Sequence, residues 1–457
     1  MTTAYDRLRT LLPLDALAAG APRRWRRRDV TFVLGNDREI GRRLRSQERR
    51  VGVTPEQVDA LRRLLGTIGI RLSVLVVENA GARAGYADGD YVHAGAQIVT
   101  FAELPHETPP DVVHALKEPS SYEASIPGPF CRIGALHSGD FDPHAGFARL
   151  LSARPAAVFD GSNVGSETDF RKPIRGSMSV FAGRVAAEWV LEHIASAAAV
   201  GGMVVVGGGK VGVAAVEKLL TDPRVETVAL FDRAADPTRL AAIEASIVES
   251  ARVQVLGLEG TDDPNLLAKL SGASGLVLAP AMAGGRAPKV VSTHALQEAM
   301  PQGGIVVDVS IDERGALADQ RVDPDWASER LIEFFTHTLS QVRYQAVPNM
   351  PRAYPKEASF QHGEAILPYL ATLLFLCAGE GGSVAATRAL LQRPFLHQTP
   401  DPLRLDDPAA RLDALCQDLR NGIAVHTDGG APVLHPIIPA GDRELISRFL
   451  AKPQGGV

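Results

Sequence analysis

The sequence is poor in lysine, cysteine and aromatic residues. Only eight of its 48 basic residues are lysines. A lysine at the end of a predicted strand, such as Lys117, is therefore more suggestive of a chemical role than of a general solubilising charge. The three cysteines, Cys131, Cys377 and Cys416, lie far apart and lack metal-ligand spacing, which argues against a disulfide framework and a structural zinc site. We therefore predict neither a disulfide-stapled domain nor a metal site.

Long apolar runs and a large excess of one charge are also missing. No apolar run reaches the roughly 20 residues that cross a bilayer, and the N-terminus lacks the residue order of a signal peptide. The net charge is −5, and the one dense basic run, RRWRRR at 23–28, is more typical of a solvated arm than of a phosphate-binding surface. These features predict a cytoplasmic protein with no membrane or nucleic-acid partner.

What the sequence does contain is an alternation of short β-branched runs with longer segments of helical period, from residue 29 onward. This alternation predicts parallel α/β sheets, and 457 residues favour two domains. Thr54 and Pro55 have the residue types that begin a helix. Strands of the first series are predicted at 29–35, 71–79, 111–117, 133–139 and 156–162.

A second series follows the segment RKPIRGSM and resembles a complete nucleotide-binding sheet. It begins with a long helix near 178–197. An apolar helix at 364–379 comes later; it is too short for a membrane span, so core or inter-domain packing is favoured. Strands of the second series are predicted at 202–208, 227–232, 253–258, 275–279 and 304–310.

Gly207, Gly209 and Gly212 form the pattern G-x-G-x-x-G directly after an apolar strand and at the start of a helix. Glycines there permit a tight turn and the close approach of a pyrophosphate, and the helix N-terminus offers N–H groups to the anion. Lys210 and Val211 complete the turn. The sequence therefore predicts a dinucleotide site, with a purely structural glycine turn as the alternative.

The choice of dinucleotide depends on the end of the next strand. Asp232 lies 20 residues past Gly212, where a carboxylate accepts hydrogen bonds from both ribose hydroxyls and repels a 2′-phosphate. NAD is therefore predicted over NADP, although the adjacent Arg233 leaves NADP open.

Four charged or titratable residues fall at the predicted carboxyl edges of the sheets, where open parallel sheets bind ligands. Arg50 can hold a carboxylate with a planar fork, and Lys117 supplies a point charge. His137 and Asp312 can move protons near neutral pH. Each residue also has a structural interpretation, as a solvated face, a strand end, a core histidine or a helix cap; their shared position is what favours an active site.

Ordered motifs from about residue 30 to 372 give the chain a resemblance to the alanine dehydrogenase and nicotinamide nucleotide transhydrogenase α-subunit family. The resemblance implies an NAD-binding Rossmann domain inserted into a second α/β substrate domain, with a cleft between them, in a homo-oligomer. The implied boundaries are 1–176 and 353–457 for the substrate domain, the last part including a C-terminal extension, and 177–352 for the NAD domain. The motifs are RRVGVTPEQV, LKEP, LH at 136–137, VVVGGGKVG, GRAPKVVS, GGIVVDVSIDERG and VPNMPRAYPKEAS.

The same resemblance implies an NAD-dependent amino acid dehydrogenase, which converts an L-amino acid to the oxo acid and ammonia or catalyses the reverse reductive amination. Arg50 and Lys117 would hold the substrate's carboxylate and carbonyl. Lys117 is also predicted to be a catalytic residue. His137 and Asp312 would be the catalytic acid/base residues, and Asn349 would contact substrate and nicotinamide. The full set of predicted cofactor contacts is Gly207, Gly209, Lys210, Val211, Gly212, Asp232, Arg233, Asp312, Asn349 and Met350.

Two arginines depart from the family pattern. Arg352 follows the NMP motif where the family has a small residue, and Arg314 follows IDE where it has glycine. Arg352 could bind a second acidic group, which predicts a substrate larger or more acidic than alanine; the alternative is a side chain that faces outward or pairs with Glu357. A saccharopine-type enzyme acting on a secondary amine and a non-catalytic NAD-binding regulatory protein remain the alternative functions.

Overall fold

The structure is a computed structural model of a mixed α/β chain that forms two compact units. Unit 1 comprises Met1–Ser177 and Tyr354–Val457, and unit 2 comprises Met178–Ala353. The roles that the sequence assigns to these units remain predictions. The residues described are 2–14, 29–35, 48–104, 109–117, 119, 122–126, 128–136, 146–152, 155–165, 172–194, 202–233, 236–247, 250–281, 287–313, 315–319, 335–339, 342–346, 349–428, 431–438 and 440–451.

Unit 1 is built on a sheet of eight strands in the order β15-β14-β6-β5-β4-β1-β2-β3. Strands β1 to β6 pair in parallel, and the hairpin β14–β15 joins the edge of β6 antiparallel. Because β1 lies between β2 and β4, the chain order reverses there, and such a switch point is where open α/β sheets bind ligands. The strands are β1 Asp29–Leu34, β2 Arg71–Val77, β3 Gln97–Val99, β4 Val112–His114, β5 Cys131–Gly134, β6 Ala157–Asp160, β14 Ile423–Asp428 and β15 Ala431–Leu434.

Unit 2 contains a seven-stranded sheet in the order β12-β13-β11-β10-β7-β8-β9. Only the pair β12–β13 is antiparallel, and β7 lies at the switch point between β8 and β10. The predicted α/β fold is therefore confirmed. The strands are β7 Gly202–Val206, β8 Val228–Arg233, β9 Val253–Leu258, β10 Ala273–Leu278, β11 Ile305–Asp308, β12 Phe335–Leu339 and β13 Val342–Ala346.

Helices cover both sheets. The predicted start of the second helix is confirmed, with Pro55 in its first turn and the Gln57 side chain accepting from the Thr54 N–H at 3.0 Å. The helices are α1 Ala4–Leu11, α2 Pro55–Gly66, α3 Asp88–His93, α4 Gly146–Ser152, α5 Pro173–His193, α6 Lys210–Leu220, α7 Pro237–Ser246, α8 Pro264–Leu270, α9 Thr293–Ala299, α10 Pro355–Glu380, α11 Ser383–Leu391, α12 Pro408–Gly422 and α13 Ala440–Ala451.

Helix α10 forms the centre of the unit 1 core. It is long and apolar enough to cross a membrane by composition alone, but 78% of its most apolar window is buried inside the structure. Gln57 of α2 donates to the carbonyl of Phe360 at 2.9 Å, which ties α2 to α10. The sequence-based interpretation of this helix as a packing element agrees with its burial.

Two predicted strands end earlier than expected, and both corrections concern site residues. β4 stops at His114, because its carbonyl takes the last ladder bond from Gly35 N–H at 2.8 Å and residues 115–117 leave the ladder. β5 covers Cys131–Gly134, not 133–139. Lys117 therefore lies in a loop three residues past its strand. His137 lies beyond β5 and outside the described residues.

Candidate active site

The turn between β7 and α6 has the shape of an anion-binding loop. Gly207 adopts a φ of 104°, in the region that residues with a side chain avoid. A Cβ on Gly212 would collide with the Gly207 carbonyl, so the helix packs directly on the turn. Apart from its two neighbours in the chain, no described residue has an atom within 4 Å of the position that a Cβ of Gly209 would take. A pyrophosphate can therefore approach at Gly209, beside the first N–H groups of α6.

The remaining predicted contacts at this turn lie where a ligand can reach them. Lys210 begins α6 and is exposed, and Val211 follows half-buried. Arg233 is exposed at the end of β8. The two cations add to the positive potential at the helix N-terminus.

Asp232 is already engaged by four donors. Its Oδ1 accepts from the Arg233 N–H at 2.7 Å and from Arg239 Nε at 3.0 Å. Its Oδ2 accepts from the Gly208 N–H at 2.6 Å and from Arg239 Nη2 at 3.0 Å. Burial acts to raise the pKa of Asp232, but Arg239 and the backbone donors outweigh it and hold the pKa below its ordinary value. The predicted ribose ligand is thus in a bidentate ion pair with an arginine that the sequence analysis did not identify.

In unit 1, Arg50 and Lys117 meet at a buried carboxylate, Glu48. Arg50 forms a two-pronged ion pair with it, Nε to Oε1 and Nη2 to Oε2 each at 2.8 Å. Lys117 Nζ lies 3.9 Å from Oε2 of the same carboxylate. The side chain of Glu48 is fully buried, and that of Arg50 is 4% exposed. We call Glu48, Arg50 and Lys117 the anion anchor.

The backbone of the anion anchor is held by its neighbours. Ser359 of α10 accepts from the Val51 N–H at 2.9 Å, next to Arg50. Arg132 of β5 donates through Nη2 to the carbonyl of Lys117 and through Nη1 to that of Ala135 at 3.3 Å. Its Nε donates to Glu123 Oε2 at 3.0 Å, and both of these side chains are fully buried. Arg132 therefore positions the loop that carries Lys117.

Two buried histidines stack beside the anion anchor. The rings of His114 and His362 lie 5.7 Å apart and nearly parallel. His114 Nδ1 is 2.9 Å from the Ile133 carbonyl, and burial lowers the pKa of His114 to about 4. Burial, then His114 and the Arg50 cation, hold the pKa of His362 well below its ordinary value. Both rings are therefore neutral near pH 7, and neither ring nitrogen of His362 has a hydrogen-bond partner among the described residues.

In unit 2, Asp308 organises the turn that contains Asp312. Its carboxylate accepts from Ser310 N–H at 2.9 Å, Ala316 N–H at 2.8 Å and Tyr344 Oη at 2.8 Å. Burial raises the pKa of Asp308. Asp312 belongs to the 3-10 turn Val309–Glu313 that these bonds enclose.

The NMP segment is also compact. Asn349 has a φ of 53°, a left-handed conformation that asparagine tolerates better than most residues. Its carbonyl accepts from the Arg352 N–H at 3.1 Å. Met350 is 2% exposed and Arg352 is 6% exposed, so Arg352 is a buried arginine and not a solvated one. Arg314 lies outside the described residues.

The structure thus assembles the predicted residues into two groups. Unit 1 joins Arg50 with Lys117, and unit 2 joins the glycine turn with Asp232. Sequence reasoning missed Glu48, Arg132, His114, His362, Arg239 and Asp308. Of these only Arg239 carried a usable signal, since it follows the helix-capping pair Asp236–Pro237 just after the ribose position.

Comparison with known proteins gives a consistent result over most of the chain. The family model described as "Alanine dehydrogenase/PNT, N-terminal domain" matches residues 40–182, and "Alanine dehydrogenase/PNT, C-terminal domain" matches residues 185–393. An alanine dehydrogenase of Bilophila wadsworthia is 26% identical over 355 residues, covering 72% of this chain and 85% of the relative. Alanine dehydrogenase 2 of Staphylococcus aureus is 26% identical over 354 residues, with the same coverage.

Solved structures share the fold. An L-alanine dehydrogenase superposes with a TM-score of 0.64 at 22% identity, covering 92% of this chain and all of that one. A transhydrogenase from Sinorhizobium meliloti superposes with a TM-score of 0.58 at 17% identity, covering 76% of this chain and 95% of the other. With two successive family models matched and the two-unit α/β fold shared, the chain belongs to the alanine dehydrogenase/PNT family.

Proposed function

We propose that the chain is an NAD-dependent amino acid dehydrogenase, which interconverts an L-amino acid with its oxo acid and ammonia. The observation that carries the proposal is the anion anchor, in which the buried Arg50 and the half-buried Lys117 face one buried carboxylate near the switch point of the unit 1 sheet. Its two cations, Arg50 and Lys117, are residues that the family resemblance assigns to the substrate. The named relatives are alanine dehydrogenases, which supports this reaction class.

The charge of the anion anchor fits one substrate carboxylate. Arg50 and Lys117 contribute two positive charges and Glu48 one negative charge, which leaves a net charge of +1. The neutral rings of His114 and His362 add none. A single carboxylate therefore balances the site, and burial strengthens that attraction relative to water.

The family resemblance divides the proposed chemistry among four residues. When NAD is bound, its nicotinamide supplies a hydride acceptor for the substrate's Cα–H. Arg50 and Lys117 would hold and orient the substrate's carboxyl end. Asp312 and His137 would move the protons of the amine and of the attacking water, and the His137 assignment rests on the sequence alone.

The glycine turn of unit 2 fits the pyrophosphate of a dinucleotide. At Gly209 the turn leaves space for a ligand beside the first N–H groups of α6. Positions 207 and 212 require glycine, because a Cβ there would collide with neighbouring backbone atoms. Asn349 and Met350 are the proposed nicotinamide contacts. Arg352, buried in the same segment, is the proposed contact for a second acidic group of the substrate.

That buried arginine favours a second candidate, a saccharopine-type dehydrogenase that acts on a secondary amine. Such a substrate carries an additional carboxylate, which a planar guanidinium can hold with two hydrogen bonds. The two candidates differ in the amine that they require.

An absorbance screen at 340 nm separates these functions. NADH is mixed with a panel of oxo acids, each with ammonium or with an amino acid as the amine donor. The proposed function predicts oxidation of NADH only when oxo acid and ammonium are both present. Oxidation that requires an amino acid donor would support the second candidate, and NADH binding without oxidation would indicate a non-catalytic NAD-binding protein.

A further inference from the structure

The carboxylate of Asp232 has no acceptor site left for a ribose. An ionised carboxyl group offers about four lone-pair sites. Two backbone N–H groups and two guanidinium N–H groups of Arg239 take up that capacity, at 2.6 to 3.0 Å. A pair of ribose hydroxyls can bind to Asp232 only if Arg239 first withdraws.

Arg239 also removes the electrostatic reason for excluding a 2′-phosphate. An acid at the end of the second strand of a dinucleotide fold disfavours NADP because its charge repels the phosphate. Here that charge is neutralised by a two-pronged ion pair, in which Asp232 is only 7% exposed. The repulsion expected from the sequence is therefore cancelled at short range.

The same arginine is placed to bind an anion. Arg239 lies in the first turn of α7, and its side chain is 27% exposed. Arg233 is exposed at the end of β8. A second acid, Asp236, accepts from the Arg239 backbone N–H at 2.9 Å as the helix cap, and its charge also acts on the Arg239 guanidinium. The fork of Arg239 thus lies on a neutralised carboxylate, and the exposed Arg233 follows that carboxylate in the chain, a composition that suits a phosphate.

We infer that the adenosine end of the site accepts a ribose 2′-phosphate, with Arg239 as its specificity-determining residue, so that the protein binds NADPH as well as NADH. This inference rests on the dinucleotide site of the proposed function and extends it. In the NADPH complex Arg239 turns part of its fork from Asp232 to the phosphate, with Arg233 beside it.

Fluorescence titration of the full chain with NADH and with NADPH tests the inference without relying on catalysis. We expect the two dissociation constants to lie within about tenfold of each other. Arg239→Gln should weaken NADPH binding by about tenfold or more, and leave NADH binding unchanged or tighter because Asp232 becomes available to the ribose. Arg239→Lys, which keeps the charge but not the fork, should fall between the wild type and Arg239→Gln.

A matched control exists in the same unit. Arg224 forms the same kind of two-pronged pair with Asp222, at 3.0 and 2.6 Å, outside the glycine turn. Arg224→Gln should change neither dissociation constant. Circular dichroism of each variant checks that the fold is retained.

The outcomes distinguish this inference from the proposed function. Binding of NADH with NADPH more than about 100-fold weaker would overturn the inference and leave the dinucleotide site intact. Equal weakening of both ligands by Arg239→Gln, with the fold retained, would also overturn it. Failure of the wild type to bind either ligand would overturn both.

Discussion

Arg50 pairs with a buried acid, Glu48, that the sequence analysis did not identify. In the sequence it is one arginine of a basic run, and in the structure it is a buried fork closed on Glu48. This ion pair fixes the guanidinium plane before any substrate arrives, because both prongs hold the same carboxylate.

We expect Arg50→Lys to lower kcat/KM for the amino acid by about 10²-fold, roughly 2.7 kcal/mol, mostly through a higher KM. Lysine keeps the charge but cannot pair with Glu48 and a substrate in a fixed plane. Steady-state kinetics at saturating NAD measures the effect. The control is Arg49→Lys, because Arg49 is exposed and adjacent. An unchanged KM in the Arg50 variant would contradict the assigned role.

The buried His114 makes the stability of the protein depend on pH. Its pKa is about 4 in the folded protein and about 6.5 in an unfolded chain. Between these values the unfolded chain binds more protons, so the free energy of unfolding decreases as the pH falls from 6.5 towards 4. From pH 7 to pH 5 the contribution lost is on the order of 2 kcal/mol.

We expect His114→Asn to lose this part of the pH dependence, since an amide can still donate to the Ile133 carbonyl but does not titrate. Urea unfolding at pH 7 and pH 5 compares the two proteins. His294→Asn is the control, because His294 is exposed. The idea fails if the wild type and the His114 variant lose the same free energy between these two pH values.

At the scale of elements, strand β5 supports the anion anchor through a single side chain. Arg132 donates to Glu123 and to the carbonyls of Lys117 and Ala135. Both carbonyls belong to segments that the sequence predicts to be strand. Past the ends of β4 and β5, these carbonyls bond to a buried guanidinium and not to a neighbouring strand. The conformation of the loop that carries Lys117 therefore depends on the packing of β5.

A single and a double variant together test this arrangement. Arg132→Met alone should lower the free energy of unfolding by about 3–5 kcal/mol, because the Glu123 carboxylate stays buried without its cation. Adding Glu123→Gln should restore at least about 1 kcal/mol of stability. KM for the amino acid should remain raised in both variants, because Lys117 has lost its support in each. A double variant with wild-type KM would show that Arg132 stabilises the unit without positioning Lys117.

At the scale of the whole molecule, both ends of the chain complete unit 1. The N-terminal helix is held by Glu56, which accepts from the Ala4 N–H at 2.9 Å, and by Arg411 of α12, which donates to the Leu11 carbonyl at 2.9 Å. The hairpin β14–β15 extends the sheet beyond β6. The sequence leaves both segments as extensions, because their short mixed patterns do not reveal partners that lie far away in the chain, Glu56 for the N-terminal helix and β6 for the hairpin.

Local pattern by itself determined the α/β fold, the approximate positions of most strands along the chain and the glycine turn after β7. Apolar periodicity and the spacing of glycines are properties of neighbouring residues, and Gly207 and Gly212 are required wherever a strand turns this tightly into a helix. Only the tertiary structure decided that Glu48 closes on Arg50 and that Arg239 closes on Asp232. An ion pair forms where the backbone brings two side chains together. Several arginines lie near Glu48 and near Asp232 in the sequence, and the sequence does not show which of them forms the pair. Buried geometry selected the partners, and with them the net charge around Arg50 and around Asp232.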